Sequence, residues 1–384
     1  MRGLALEGGG AKGAFHVGAL DAFFERGYRF DMIMGTSIGA LNGAMVAEGE
    51  FDTLKRLWEQ AAISKVADLD DIKFEQLMKG DYDRELIIYL VKKARQAISG
   101  RGLPMDKVRY LVDKYVDEQK LRSSDIDYGL VTVSVSDGWK PLELFKDEVP
   151  EGMLKEYILA SAYFPLFNRP EIGGKRFIDG GMYNNCPVNP LIRRGASEVV
   201  AIRTGSNMPS VKVVDRTVKV LYVEPSESLG STIDLRKERV GYNVRLGYFD
   251  ALRAIDNLAG VKYYIEPVTV AEALRFAESL DGAVEDAVKK VLKVRGGKRM
   301  LIAALMEAAK EELNLPGNLD AAETLLAVLE YAAEKSGVER FMRYSLPEFF
   351  GALKEKWKPD SGDATRSYAI AAAIMNNITL RRED

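Results

Sequence analysis

Short apolar runs, glycine turns and helix-spaced apolar positions alternate through the first fifty residues. Leu4-Ala5-Leu6 reads as a strand and leads into Gly8-Gly9-Gly10, after which apolar residues recur at helical spacing to about Arg26 and stop at Gly27. Met32-Ile33-Met34 repeats the pattern and turns at Gly35-Thr36-Ser37-Ile38-Gly39 into a helix of small residues, Gly39 to Ala44. Two strand-turn-helix units in succession predict an α/β fold with a parallel sheet. From about 52 to 122 the pattern is helical and heavily charged, which predicts a helical cap inserted over the sheet, and β-type alternation returns at Tyr128 to Val135. Further strands are predicted at Lys175 to Ile178, Glu198 to Arg203 and Thr217 to Val223, with a closing helix from Gly241 to Leu258. The first domain is expected over 1–268. The remainder, 269–384, is mostly helix-periodic, as in Met300 to Met306 and Thr324 to Leu329, with breaks at Gly296-Gly297 and Pro316-Gly317. It reads as a C-terminal helical domain that carries no motif for chemistry.

Composition narrows the classes of function. The chain has 384 residues, 47% hydrophobic and 29% charged, enough for a large core and a second unit. A formal charge of −3 gives no global attraction to nucleic acid. Cys186 is the only cysteine, so an intrachain disulfide is excluded and a reducing compartment fits. The opening, Met1 to Gly8, runs directly into the first strand and glycine loop, and no apolar run approaches the ~20 residues needed to span a bilayer. The expectation is a cytoplasmic protein, at most peripheral at a membrane.

Chemistry centres on Gly35-Thr36-Ser37-Ile38-Gly39, a G-x-S-x-G motif between strand and helix. Glycines flank such a turn because a Cβ would collide with neighbouring backbone, and the following helix turns its positive end toward the reacting centre. A serine hydroxyl needs a base, which in a Ser-His-Asp hydrolase of this type is a histidine placed after the serine. The only histidine here is His16, which precedes Ser37 and shares a helical face with Leu20 and Phe23, as a core histidine would. The candidate base is therefore Asp179, in Phe177-Ile178-Asp179-Gly180-Gly181; burial would raise its pKa and strengthen its hydrogen bond to a serine. An aspartate that only caps a turn is the alternative at this position. Gly8-Gly9-Gly10-Ala11-Lys12-Gly13 offers backbone N–H groups at a helix start, suited to an oxyanion or a phosphate. A nucleotide P-loop requires Ser or Thr after the lysine, where this chain has Gly13, so a nucleotide-dependent enzyme is disfavoured.

Together these segments resemble the patatin-like phospholipase family in the family's own order. Gly8 to Gly13 resembles its G-G-G-x-[RK]-G oxyanion loop, Gly35 to Gly39 its nucleophile motif, and Asp179-Gly180-Gly181 its D-G-[GA] motif. Ala160-Ser161-Ala162-Tyr163-Phe164-Pro165-Leu166-Phe167 is similar to the A-S-x-A-x-P stretch that precedes the aspartate. The resemblance covers roughly residues 1 to 265. It implies a three-layer α/β/α sandwich with a mostly parallel central sheet, and a Ser-Asp dyad in which Ser37 attacks an acyl carbonyl and Asp179 is its base. It further implies Gly8, Gly9, Gly10, Lys12 and Gly13 as oxyanion loop, Gly35 and Gly39 as nucleophile elbow, and hydrolysis of lipid acyl esters without metal or cofactor. A phospholipase A or lysophospholipase type of activity is expected, with a soluble carboxylesterase or thioesterase, or a non-catalytic lipid-binding protein, as alternatives.

One further segment bears on substrate access. Glu85-Leu86-Ile87-Ile88-Tyr89-Leu90-Val91-Lys92-Lys93-Ala94-Arg95 joins six apolar residues to three basic ones, within a stretch of about 84–98. It suits transient contact with a membrane surface, or a cap helix packed on the sheet with a solvated basic end.

Overall fold

The computed structural model describes residues 1–66, 70–79, 81, 83–99, 105–164, 171–279, 304, 307–308, 310–311 and 313–357, the side chains of 78, 94–99 and 276–279 excepted. The chain divides into two compact units, Met1–Ala254 and Ile255–Asp384.

In the first unit, β1 (Arg2–Leu6) leads through a 3-10 turn at Gly10–Gly13 into α1 (Ala14–Glu25), and β2 (Met32–Thr36) leads into α2 (Ile38–Ala47). The charged stretch forms α3 (Phe51–Glu59), α4 (Ile63–Val66), α5 (Asp71–Lys79), α6 (Arg84–Ser99), α7 (Asp106–Tyr115) and α8 (Glu118–Ser123). Then follow β3 (Asp127–Ser134), β4 (Lys140–Phe145), α9 (Leu154–Ser161), β5 (Phe177–Asp179), α10 (Val188–Arg193), β6 (Glu198–Ile202), β7 (Lys219–Val223) and α11 (Lys237–Asp256). The fold is mixed α/β about a mostly parallel sheet of order β4-β3-β2-β1-β6-β7. Strands β1, β2, β3, β6 and β7 are parallel, whereas β4 and β5 both run antiparallel to β3.

Near-continuous apolar strands form this sheet because both of its faces are covered. Gly3 and Ala5 of β1 pack against α10 at Leu191, in a core that also takes Met32, Met34, Val131, Val199 and Ala201. The alternate residues Leu6, Ile33 and Tyr128 lie beneath α2, close enough at Gly43 that a Cβ there would meet Ile33 at 3.0 Å. Helices α1 and α11 approach backbone to backbone: a Cβ on Gly18 would fall 1.8 Å from the Val244 carbonyl, and one on Gly247 2.1 Å from that of Phe15.

Strand β4 has no counterpart in the sequence-based expectation. Its Pro141 and the charges at Lys140 and Glu143 argue against an interior strand, and it lies at the sheet edge, where both are tolerated. The strand predicted at Lys175 to Ile178 starts later, at Phe177, and reaches Asp179.

The second unit pairs β8 (Tyr264–Ile265) in parallel with β9 (Arg343–Tyr344) and carries α12 (Val270–Ser279), α13 (Ala321–Ser336) and α14 (Leu346–Lys356). Capping boxes at Asp320 with Glu323 and at Ser345 with Glu348 start α13 and α14, and Gly337 at φ 67° ends α13. Leu325, Leu329, Tyr344 and Phe349 build its core. The buried Glu330 carboxylate accepts the backbone N–H groups of Val261, Lys262 and Tyr263 at 2.8–3.0 Å. The predicted helix at Thr324 to Leu329 falls within α13, and the one at Met300 to Met306 lies outside the described residues apart from Ala304. Among the described residues, no helix is long and apolar enough to cross a membrane.

Candidate active site

The chain leaves β2 at Thr36 and enters α2 at Ile38, so Ser37 absorbs the whole reversal. Its φ of 55° and ψ of −122° put a non-glycine residue where side chains are strained, at a cost of roughly 1–3 kcal/mol. The flanking glycines make the turn sterically feasible. A Cβ on Gly35 would lie 2.2 Å from the Gly39 carbonyl oxygen, and one on Gly39 2.2 Å from that of Leu6. The Ser37 backbone N–H donates to Ser161 Oγ at 2.9 Å, and that hydroxyl donates to the Val131 carbonyl at 2.6 Å. The N–H groups of Ile38 and Gly39, at the start of α2, have no acceptor among the described residues.

Strand β3 brings Asp179 to this turn. Its residues Asp127 to Val131 pair with β2, ending at Thr36 opposite Val131, and its next residues, Thr132 to Ser134, pair with β5, starting with Asp179 opposite Thr132. Strand β4 occupies the opposite edge, so β5 continues the edge that β2 vacates when it turns at Ser37. The Asp179 carboxylate accepts the Gly181 N–H at 2.8 Å and has the Ser37 hydroxyl as a polar neighbour that favours its charged form. Burial pushes its pKa up to about 6, with the Ser37 hydroxyl and the Gly181 N–H pulling the other way. A Cβ on Gly180 would sit 2.2 Å from the Val131 carbonyl, so only glycine allows the chain to leave β5 against β3.

The glycine loop lies against the same turn, a Cβ on Gly8 falling 3.3 Å from that of Ser37. Several of its N–H groups are already engaged: Gly8 donates to the Asn185 carbonyl at 3.1 Å, Ala11 to that of Thr232 at 2.7 Å, and Lys12 to that of Gly9 at 3.2 Å. The N–H groups of Gly9 and Gly10 have no acceptor among the described residues. Gly10 is left-handed at φ 57°, and Gly13 packs so tightly that a Cβ would meet Ile38 at 2.6 Å. The Lys12 ammonium reaches the Gly205 carbonyl at 3.5 Å.

His16 is held elsewhere. Its Nδ1 lies 3.3 Å from the Asn42 amide nitrogen, which also donates to the Gly13 carbonyl at 3.1 Å, while Trp58 donates to the Asn42 oxygen at 3.1 Å. With Nδ1 accepting, the proton sits on Nε2, which is buried without a hydrogen-bond partner. Complete burial lowers the pKa of His16 to about 3 and keeps the ring neutral. The imidazole is a core group.

Two contributors were not singled out from sequence. Ser161 carries no sequence signal beyond its motif, yet it anchors the Ser37 N–H; the Ile38 N–H follows the serine in the turn and needs no side-chain signal. The motif is described through Phe164, whereas Pro165, Leu166 and Phe167 lie outside the described residues. In α6, Leu86 is buried while Ile87, Ile88 and Val91 are 52%, 60% and 46% exposed. The side chains of Ala94 and Arg95 lie outside the described residues. Among the described residues, no group of three or more His, Cys, Asp or Glu side chains is placed to hold a metal ion.

Comparison with known proteins places these motifs in a family. Residues 4–192 match the family model described as patatin-like phospholipase. The human patatin-like phospholipase domain-containing protein 6 is 28% identical over 211 residues, covering 53% of this chain and 13% of that protein. Lysophospholipase NTE1 of Saccharomyces cerevisiae is 25% identical over 305 residues, covering 72% of this chain and 15% of that protein. The chain thus spans about an eighth of the length of the relatives it matches. Among solved structures, VipD from Legionella pneumophila aligns at a TM-score of 0.43 with 14% identity, over 100% of this chain and 92% of that one.

Proposed function

Since residues 4–192 are a patatin-like phospholipase domain, we propose that this chain is a serine acyl hydrolase that cleaves carboxylic ester bonds of lipids, of phospholipase A or lysophospholipase type. The observation that carries the reading is the buried Asp179 carboxylate beside the Ser37 hydroxyl at a strained elbow.

Asp179 takes the hydroxyl proton as Ser37 Oγ attacks the ester carbonyl, and burial supports this by raising the aspartate's proton affinity to a pKa of about 6. The developing oxyanion is stabilised by the unengaged N–H groups of Gly9 and Gly10, within the loop Gly8 to Gly13, and of Ile38 at the start of α2. The proton then passes to the departing alcohol, leaving an acyl group on Ser37. Water activated by Asp179 hydrolyses that ester and releases a fatty acid. The residues supply every step, with no cofactor or metal required.

Contact with a lipid surface is part of the proposal. Arg84, Ile87, Ile88, Val91 and Lys92 recur at helical spacing on α6, and the aliphatic members of that stripe are exposed.

The test is mass-spectrometric measurement of fatty acid released from diacyl phospholipids, lysophospholipids, triacylglycerols and short-chain esters by wild type and Ser37→Ala. Release from a lipid class that depends on Ser37 supports the reading. Release confined to short-chain esters would reduce the protein to a soluble carboxylesterase, and no Ser37-dependent release would reject hydrolysis.

A further inference from the structure

The oxyanion loop is braced from behind by residues outside every motif considered so far. Thr204, just beyond β6, is buried, and its Oγ1 lies 2.6 Å from the Gly8 carbonyl oxygen and 3.2 Å from Glu7 Oε2. A hydroxyl has one proton to give, and Glu7 Oε2 already accepts the Thr204 backbone N–H at 2.5 Å. The hydroxyl proton therefore goes to the closer acceptor, the Gly8 carbonyl. Asn185 Nδ2 adds a longer bond to the same carbonyl at 3.4 Å, and the Asn185 carbonyl accepts the Gly8 N–H at 3.1 Å. Glu7 is fully buried and paired with Arg203 at 3.2 Å, which fixes the carboxylate that holds Thr204.

A peptide unit is planar and trans, so its C=O and N–H point in opposite directions. The Gly8 carbonyl and the Gly9 N–H belong to one such unit. Tying the carbonyl to Thr204 and Asn185 leaves the Gly9 N–H directed the other way, and that N–H has no acceptor among the described residues. Glycine at both ends of this unit has few steric barriers to peptide rotation, so an unbraced loop would sample other orientations.

We propose that Thr204 is a positioning residue for catalysis: by holding the Gly8 carbonyl, with Asn185 beside it, it aims the Gly9 N–H at the oxyanion formed on Ser37. This rests on the serine hydrolase reading above. A donor held in place before the reaction stabilises charge that exists only in the transition state, so losing the brace slows turnover and leaves substrate binding alone.

The experiment compares steady-state hydrolysis by wild type, Thr204→Val and Thr204→Ser on one ester substrate across pH 5–9, with thermal melting of each protein. The expected result for Thr204→Val is a kcat lowered at least about tenfold and at most by the about 10²–10³ that loss of one oxyanion donor costs, with KM within about twofold. Its acidic pH limb should stay with wild type, because Asp179 is untouched. Thr204→Ser keeps the hydroxyl and should keep kcat within about twofold. If Thr204→Val does not fold, Thr204→Cys, a weaker donor of similar volume, should show the same split to a smaller degree. Undiminished kcat in a folded Val or Cys variant, or a change confined to KM, would overturn the proposal while wild type remains an active Ser37-dependent hydrolase. Wild-type protein without Ser37-dependent hydrolysis would overturn both readings.

Discussion

Thr36 and Asp179 lie opposite consecutive residues of one strand, Val131 and Thr132. The serine that follows Thr36 and the aspartate that ends β5 are thus brought together by the register of β3. Ser161 reinforces the arrangement by linking the Ser37 N–H to the carbonyl of Val131 in that same strand.

Asp179→Asn should separate activity from stability. Activity is expected to fall by several orders of magnitude, because the amide cannot take the serine proton. Stability should rise at neutral pH. Folding raises the Asp179 pKa from 3.8 to about 6, so above pH 6 the native state carries a buried charge, worth up to about 3 kcal/mol, that the amide avoids. That gain should shrink as pH falls from about 6 toward 3.8 and vanish below it, where wild-type Asp179 is neutral in both states. Melting curves between pH 4 and 8 check the sign.

The pH dependence of kcat/KM follows from the same group. The proposed mechanism needs the Asp179 carboxylate ionised, so the profile should fall with unit slope below about pH 6. His16→Gln should leave that limb in place. Its loss in His16→Gln, with activity retained in Asp179→Asn, would identify the histidine as the base instead.

Gly39→Ala should be more damaging than its size suggests. The added methyl would fall 2.2 Å from the Leu6 carbonyl oxygen, in backbone that cannot retreat without opening the sheet. A loss of about 2–4 kcal/mol and of hydrolysis is expected. Urea unfolding and an activity assay measure both, and a wild-type unfolding midpoint would contradict the packing.

Ser161→Ala removes the acceptor of the Ser37 N–H and a donor to Val131. It should cost about 1–3 kcal/mol of stability and lower kcat, since the elbow loses its tie to β3. Unaltered kcat in the folded variant would show that α2 alone holds the elbow.

Replacing Ile87, Ile88 and Val91 together with Ser should weaken cosedimentation with anionic phospholipid vesicles by about tenfold or more, while hydrolysis of a water-soluble short-chain ester stays at the wild-type level. Equal sedimentation of the two proteins would remove α6 from the membrane proposal.

The parallel strands were legible because Leu4-Ala5-Leu6 and Met32-Ile33-Met34 are apolar on both faces, which only a doubly covered sheet requires. Motif glycines were legible for the same local reason: Gly35 and Gly39 answer to backbone close by. The edge strand β4 was not, because Pro141 and its charges carry no alternation that an edge must have. Nor could spacing show that Gly8 and Lys12 spend their N–H groups on Asn185 and Gly9 while Gly9 and Gly10 keep theirs. That division depends on a partner, Asn185, brought back by the sheet from far along the chain. Thr204 was invisible for the same reason, since one threonine after a strand has no pattern to betray it.

Burial accounts for the upward shift at Asp179, and among the described residues no cation contributes to it. In a serine hydrolase with a histidine base, the attack separates charge, creating an imidazolium and an oxyanion together. With Asp179 as the base, one negative charge only migrates, from the carboxylate to the substrate oxygen, and the carboxyl is left neutral. The surroundings need not solvate a new ion pair. Such a reaction keeps its electrical balance when a lipid layer displaces water from the mouth of the site, where a reaction that builds opposite charges would become harder.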